Sequence, residues 1–402
     1  MSISSPELLA NVTKREELQN ELLAKGSRFI APRGNPRAPV WIIGEAGGEQ
    51  EEKEGYAFVG PSGKEQDRML SDSGFQQSEI YFTNPYKVRP PDNKLPRLGE
   101  LGIASEVYLD EFFEELRQFR PPFIITCGKT PTQLLCPATK PQINRKTTSE
   151  DSKKDNFGKF RGSLLASPEL SWPHYVVPIY HPAFVLRNWS ERPVSVLIYS
   201  KVREEFSWWR THGQQHQPLP ERKITIEPSE TEIVERLTEI YDKKTRVSVD
   251  IEMVWSRKPK HRLVFTIAFA TSPGEAFSFC IWDYSTFATR SIMRVCNQVL
   301  LSCPIIGQNF IGFDSHWLRT IGLDVDVRKV SDTLIRHHVL WPEFEHNLGF
   351  MSMQYTRQPF FKEDGKKWTF KNKAPLMRYN CMDAMVTYEV WLEQEKEFDA
   401  RR

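Results

Sequence analysis

The pentapeptide Ser248-Val249-Asp250-Ile251-Glu252 sets two carboxylates two residues apart inside an apolar, β-branched run. The run follows a helix-like segment and reads as a strand, whose period of two puts Asp250 and Glu252 on one face. Two acids on one face of a buried strand repel each other and lose hydration, so a fold keeps them only beside a compensating cation. Mg²⁺ suits such a place, because it takes hard oxygen ligands from one or two carboxylates together with substrate phosphates. Taken alone, the five residues also fit an exposed strand end.

The sequence downstream narrows the choice. Ile305-Ile306-Gly307-Gln308-Asn309-Phe310-Ile311-Gly312-Phe313-Asp314 reads as an apolar strand breaking into a loop that presents Asn309 and Asp314. Tyr379-Asn380-Cys381-Met382-Asp383 opens a helical pattern that runs through Tyr388 and Trp391. Tyr379 and Asp383, four apart, share a helix face. In this order, DxE, NxxxFD and YxxxD resemble the proofreading 3′–5′ exonuclease domain of family A DNA polymerases and their DEDDy relatives, over residues 224–402. The resemblance implies a ribonuclease H-like fold with a mixed sheet. It implies that Asp250, Glu252, Asp314 and Asp383 hold two Mg²⁺ or Mn²⁺ ions, that Tyr379 orients the attacking water, and that Asn309 contacts the substrate. The implied substrate is a single-stranded 3′ end of DNA; an RNA-directed exonuclease is the weaker alternative.

At 402 residues the chain is expected to form two α/β domains, 1–210 and 224–402, joined by a connector over 211–223. His212–Glu221, rich in Gln, His and Pro, marks that connector. A net charge of +2 supplies no bulk field for nucleic acid, so DNA binding must rest on local grooves. The six cysteines are scattered without a CxxC pair, which supports neither a disulfide framework nor a zinc site. No apolar leader or run of membrane-spanning length is present in the sequence, so an intracellular protein without a membrane partner is expected. For a viral source that means the host cytoplasm.

Before the connector, a helix is expected over 1–25, with Leu18, Leu22 and Leu23 among its apolar positions. Strands are expected at 39–44, 80–84, 123–128 and 175–180, with helical patterns such as Glu106–Gln118 between them. That alternation implies a parallel sheet, and each strand runs into a polar residue at the end where such sheets bind ligands. Arg145–Asn156, charged and poor in apolar residues, reads as a surface loop. Past the connector, Ile224–Glu227 reads as a strand, and Ser229 with Glu232 as a capping box opening a helix through Tyr241.

The strand ends of the first domain carry a second resemblance. Gly44-Glu45-Ala46-Gly47-Gly48 runs on to Gly55-Tyr56-Ala57-Phe58-Val59-Gly60; Tyr81-Phe82-Thr83-Asn84 precedes Lys87-Val88-Arg89-Pro90-Pro91; Tyr180-His181-Pro182-Ala183 comes later. Together they resemble the family 4 branch of the uracil-DNA glycosylase superfamily, a three-layer α/β/α fold acting on uracil-containing DNA. By resemblance, Phe58 stacks on a flipped uracil, Asn84 pairs with its N3–O4 edge, and His181 donates to O2. Glu45 and Glu51 would face the sugar and the C5 side, activating water and excluding a methyl group, with the division of labour between them open. Two residues depart from the pattern. Family 4 members usually hold an iron–sulfur cluster with four cysteines, but Val88 stands at one cysteine position and the N-terminal pair is missing, so no cluster is expected. Gly47 stands where proline is usual, which should loosen the turn.

Such a fusion resembles the front half of certain bacteriophage family A polymerases. Only 19 residues follow Asp383 (402 − 383), so no polymerase palm is expected in this sequence, which reads either as a separate proofreading subunit or as a piece of a longer polymerase, and a family A-type polymerase becomes the expected partner. Tyr388, Val390, Trp391 and Leu392 would either dock it or pack on their own core. The expected function is proofreading-type exonuclease action in viral DNA replication or repair. The alternatives are a repair enzyme with both sites active, or a first domain that only binds DNA or uracil.

Overall fold

Short, mostly apolar runs, too short for helices, form the centre of the first domain. They are β2 (Val40–Ile43), β3 (Ile80–Thr83), β4 (Phe123–Cys127) and β5 (Tyr175–Ile179), after a two-residue β1 (Arg33–Gly34). Their order in the sheet is β1-β3-β2-β4-β5. β2 through β5 pair in parallel, and only the short β1 joins β3 antiparallel at the edge. Both faces of these strands are buried, as parallel strands flanked by helices require. Trp41, Ile43, Tyr81, Ile124 and Val176 pack on Phe112, Leu116 and Leu135, while Phe123 meets Phe206 of the helix Glu191–Thr211.

The computed structural model describes residues 5–140, 157–255, 262–362 and 368–401. The expected loop Arg145–Asn156 lies outside them. The chain divides into Met1–Pro218 and Leu219–Arg402, a boundary that falls inside the expected connector. The His216 ring packs against Phe123 and Tyr175 at 5.0 and 4.5 Å, and the Tyr175 hydroxyl donates to the Gln217 carbonyl, so this stretch belongs to the first domain. On the first helix, Leu18 and Leu22 are buried but Leu23 is 76% exposed. No described helix is long and apolar enough to cross a membrane.

The second sheet is mixed. It contains β6 (Lys223–Ile226), β7 (Val247–Trp255), β8 (Arg262–Ser272), β9 (Glu275–Cys280), β10 (Ile305–Gly307) and β11 (Val330–Asp332), in the order β11-β10-β7-β8-β9-β6. Strand parity divides its two faces. Val247, Val249 and Ile251 of β7 enter a core with Ile233, Leu237 and Ile240 of the helix Glu230–Lys243 and with Ile292, Val295 and Val299 of the helix Thr286–Ser302. On the other face, small residues (Ala268, Ala270, Ala276) let the long helix Ala374–Ala400 approach closely through Cys381, Ala384 and Met385. Asp250 and Glu252 have the parity of this second face. The helix also buries Val390 in a core with Leu348, Met351 and Val386, and Trp391 is 9% exposed, so these two residues pack inward and offer no docking surface.

Candidate active sites

In the second domain β7 and the long helix bring three expected residues together. One carboxylate oxygen from each of Asp250, Glu252 and Asp383 falls within a group spanning at most 4.8 Å. Asp314 is outside that group; its Oδ1 accepts from the Ile251 N–H at 3.3 Å. Asn309 sits in the left-handed region at φ +55°. Its loop is held by Asp332, which the sequence did not point out: Asp332 accepts from the N–H groups of Asn309 and Ile311, each at 3.0 Å, and caps the next helix through Leu334.

Two further residues reach the carboxylates. Lys362 Nζ lies 2.6 Å from both oxygens of Asp383 and 3.0 Å from the Tyr379 hydroxyl. Asn380 Nδ2 donates to Asp250 Oδ2 at 2.6 Å. Asn380 was legible in principle, three residues before Asp383 on one helix. Lys362 was not, being one lysine in a charged stretch.

Burial, reinforced by the neighbouring carboxylates, raises Asp250 well above the usual carboxylate range. Burial and then Asp383 push Glu252 up to about 8, and burial likewise pushes Asp314 up to about 8. Hard oxygen donors this close, and this reluctant to ionise without a cation, fit Mg²⁺ or Mn²⁺. Burial and Asp383 also raise Tyr379, which therefore stays a phenol at neutral pH.

The first domain has a cavity of about 600 Å³ at the carboxyl ends of its strands, lined by Glu45, Glu51, Phe58, Asn84 and His181 among others. Phe58 adopts φ +57°, an uncommon backbone for a bulky residue, and its ring lies 6.5 Å from the His181 ring. Gly44 leaves the floor open, since a Cβ there would stand 2.4 Å from Asn84 Oδ1 and 2.9 Å from Phe58 Cζ. His181 Nδ1 accepts from the Ala183 N–H at 3.1 Å. Burial, then Arg187, lowers His181 to about 4, so the imidazole is neutral and carries its proton on Nε2. The two glutamates differ. Glu51 accepts from the N–H groups of Gly48 and Gly60 at 3.1 and 2.8 Å, tying the turn together. The Glu45 carboxylate has no hydrogen-bond or ion-pair partner among the described residues.

Residues 31–204 match the family model of the uracil DNA glycosylase superfamily, and residues 225–399 that of a 3′–5′ exonuclease family. A type-4 uracil-DNA glycosylase of Saccharolobus solfataricus is 34% identical over 179 residues, 44% of this chain and 76% of that protein. The first domain belongs to the uracil-DNA glycosylase superfamily. It is fused to a 3′–5′ exonuclease-family domain. The type-4 glycosylase of Thermotoga maritima matches the glycosylase-superfamily domain at 28% identity, over 40% of this chain and 73% of that protein. Among solved structures, the catalytic core of RRP6 from Trypanosoma brucei is similar at 15% identity with a TM-score of 0.37, covering 46% of this chain and 51% of that one.

An iron–sulfur cluster does not fit the glycosylase-superfamily domain. Val88 is fully buried in an apolar cluster with Leu18, Leu22, Leu98, Ile103 and Tyr108. The only cysteines in this domain are Cys127 and Cys136, both buried. The turn at Gly47 is tied rather than loosened, which corrects the expectation from sequence: the Gly47 N–H donates to the Val88 carbonyl at 3.1 Å.

Proposed function

We propose that the exonuclease-family domain is a metal-dependent 3′–5′ DNA exonuclease of the proofreading type, serving viral DNA replication or repair. The observation that carries this reading is the grouping of Asp250, Glu252 and Asp383 within 4.8 Å. These three would hold the ions, with Asp314 alongside. When bound, two ions supply an activated water and charge stabilisation at the leaving 3′ oxygen of an in-line displacement. The Tyr379 phenol orients that water, and Asn309 meets the strand. The test is digestion of 5′-labelled single-stranded DNA with Mg²⁺ or with EDTA. Asp250→Ala should abolish it, and Tyr379→Phe should slow it about 10²-fold at most. EDTA-sensitive digestion undiminished by Asp250→Ala would remove the site assignment, and a preference for an RNA ladder would redirect the substrate.

The glycosylase-superfamily pocket is proposed to receive a uracil flipped out of DNA. Phe58 stacks on the base, the Asn84 amide reads its N3–O4 edge, and His181 Nε2–H donates to O2 as the leaving base gains negative charge. Glu45, whose carboxylate has no partner among the described residues, takes the sugar side, and Glu51 holds the turn. Uracil release without added metal supports this reading. Uracil-selective binding without release would leave a sensing module.

A family A-type polymerase is the proposed partner, because a proofreading site is useful when a mispaired 3′ end reaches it before dissociating. Tethering raises the effective concentration of that end to about millimolar. Co-elution with the polymerase from the same source, and fewer misincorporations when the protein is added, are the expected results. Separate elution with unchanged fidelity would favour an autonomous repair nuclease.

A further inference from the structure

Strand register builds a small polar box above Ala268. In the β7–β8 ladder Asp250 faces Ala268 and Glu252 faces Thr266; in the β8–β9 ladder Ala268 faces Ser278. Asp250, Thr266 and Ser278 therefore rise on one face around a residue with almost no side chain. The Asn380 amide, fully buried, descends into that space from the long helix. Its Oδ1 accepts from Thr266 Oγ1 at 3.0 Å and from Ser278 Oγ at 2.8 Å, and its Nδ2 donates to Asp250 Oδ2 at 2.6 Å.

The two hydroxyls decide which way the amide faces. Each donates its single proton to Oδ1, so the NH₂ group is turned onto Asp250. The flipped amide would set its oxygen against a carboxylate and lose both hydroxyl donors. Donation from the amide occupies one carboxylate oxygen of Asp250. One oxygen of Asp250 lies in the group with Glu252 and Asp383.

We propose that Asn380 is a positioning residue of the exonuclease centre, orienting Asp250 for a divalent cation, with Thr266 and Ser278 as the clamp that orients Asn380. This rests on the exonuclease reading above. A small side chain at 268 belongs to the same device, because a larger one would fill the place of the amide.

The experiment measures Mn²⁺ binding to the full chain by electron paramagnetic resonance, together with Mg²⁺ half-saturation of single-strand digestion. It compares wild type, Asn380→Ala, the paired Thr266→Val/Ser278→Ala variant and the triple variant. Asn380→Ala should weaken Mn²⁺ binding about tenfold or more, in the range for residues that orient a metal ligand. The paired variant, which keeps the side-chain volumes close and leaves Asn380 in place, should weaken it by less. Combined, the triple variant should bind no more weakly than Asn380→Ala alone, since the clamp acts only through the amide. Additive losses, or Mn²⁺ binding within twofold of wild type in Asn380→Ala, would overturn the proposal. A wild type that binds Mn²⁺ through Asp250 but digests no DNA would sink the exonuclease reading. The binding differences among variants would still decide the role of Asn380.

Discussion

The backbone N–H of Gly47 donates to the carbonyl of Val88 at 3.1 Å, joining the two positions at which the first domain departs from the family 4 pattern. Proline has no N–H to give, and a Cβ at Gly47 would stand 2.0 Å from Ile30 Cδ1. Ile30 is itself held in place by its N–H to the Lys87 carbonyl at 2.8 Å. A hydrogen bond and apolar packing thus brace this wall of the pocket. Gly47→Pro, though it restores the usual family residue, should cost roughly 2–4 kcal/mol by denaturant titration. A proline variant as stable as wild type would show that the turn is held by something else. Pure protein should also lack iron–sulfur absorption.

Lys362 contacts both oxygens of Asp383, so a divalent ion must compete with its ammonium group. Lys362→Met should lower the melting temperature of the metal-free protein and tighten Mn²⁺ binding several-fold. Scanning calorimetry checks the first and calorimetric titration the second. Weaker binding in the methionine variant would mean that Lys362 assists the site instead of guarding it.

Glu252 and Asp314, both pushed to about 8, hold protons at neutral pH that the unfolded chain has already released. The folded state binds more protons, so this contribution to stability is present at low pH and is lost as pH rises from about 4 towards 8. Metal-free protein should therefore melt lower at pH 8.5 than at pH 6. Added Mg²⁺ should raise the melting temperature more at the higher pH, with protons released on binding. A Mg²⁺-induced shift independent of pH would contradict the proton uptake inferred for these carboxylates.

His181, lowered to about 4, is neutral across the physiological range. Uracil release should show no limb near the ordinary histidine value of about 6.5. His181→Ala should slow release by about 10²–10³-fold, as for loss of one preorganised donor. A rate that falls as pH rises through about 6.5 would identify imidazolium as the donor.

Local periodicity made much of this legible. Alternation along Ser248–Glu252 is enough to place Asp250 and Glu252 on one face, and a spacing of four is enough to align Tyr379 with Asp383. Each apolar run of the first domain likewise carried its pocket residue at its carboxyl end. These relations span a few residues and follow from backbone geometry alone. Tertiary structure decided what depends on partners far apart in sequence. Asn380 meets Asp250 across 130 positions and Lys362 meets Asp383 across 21, through packing that no local pattern encodes. The same reason separates Glu51, drawn to the N–H groups of Gly48 and Gly60, from Glu45, whose carboxylate has no such partner among the described residues. It also draws His216 onto the first domain and turns Val390 and Trp391 inward. Burial and hydrogen-bond satisfaction are properties of the assembled chain, and they set the charge, orientation and availability of side chains whose identity the sequence already showed.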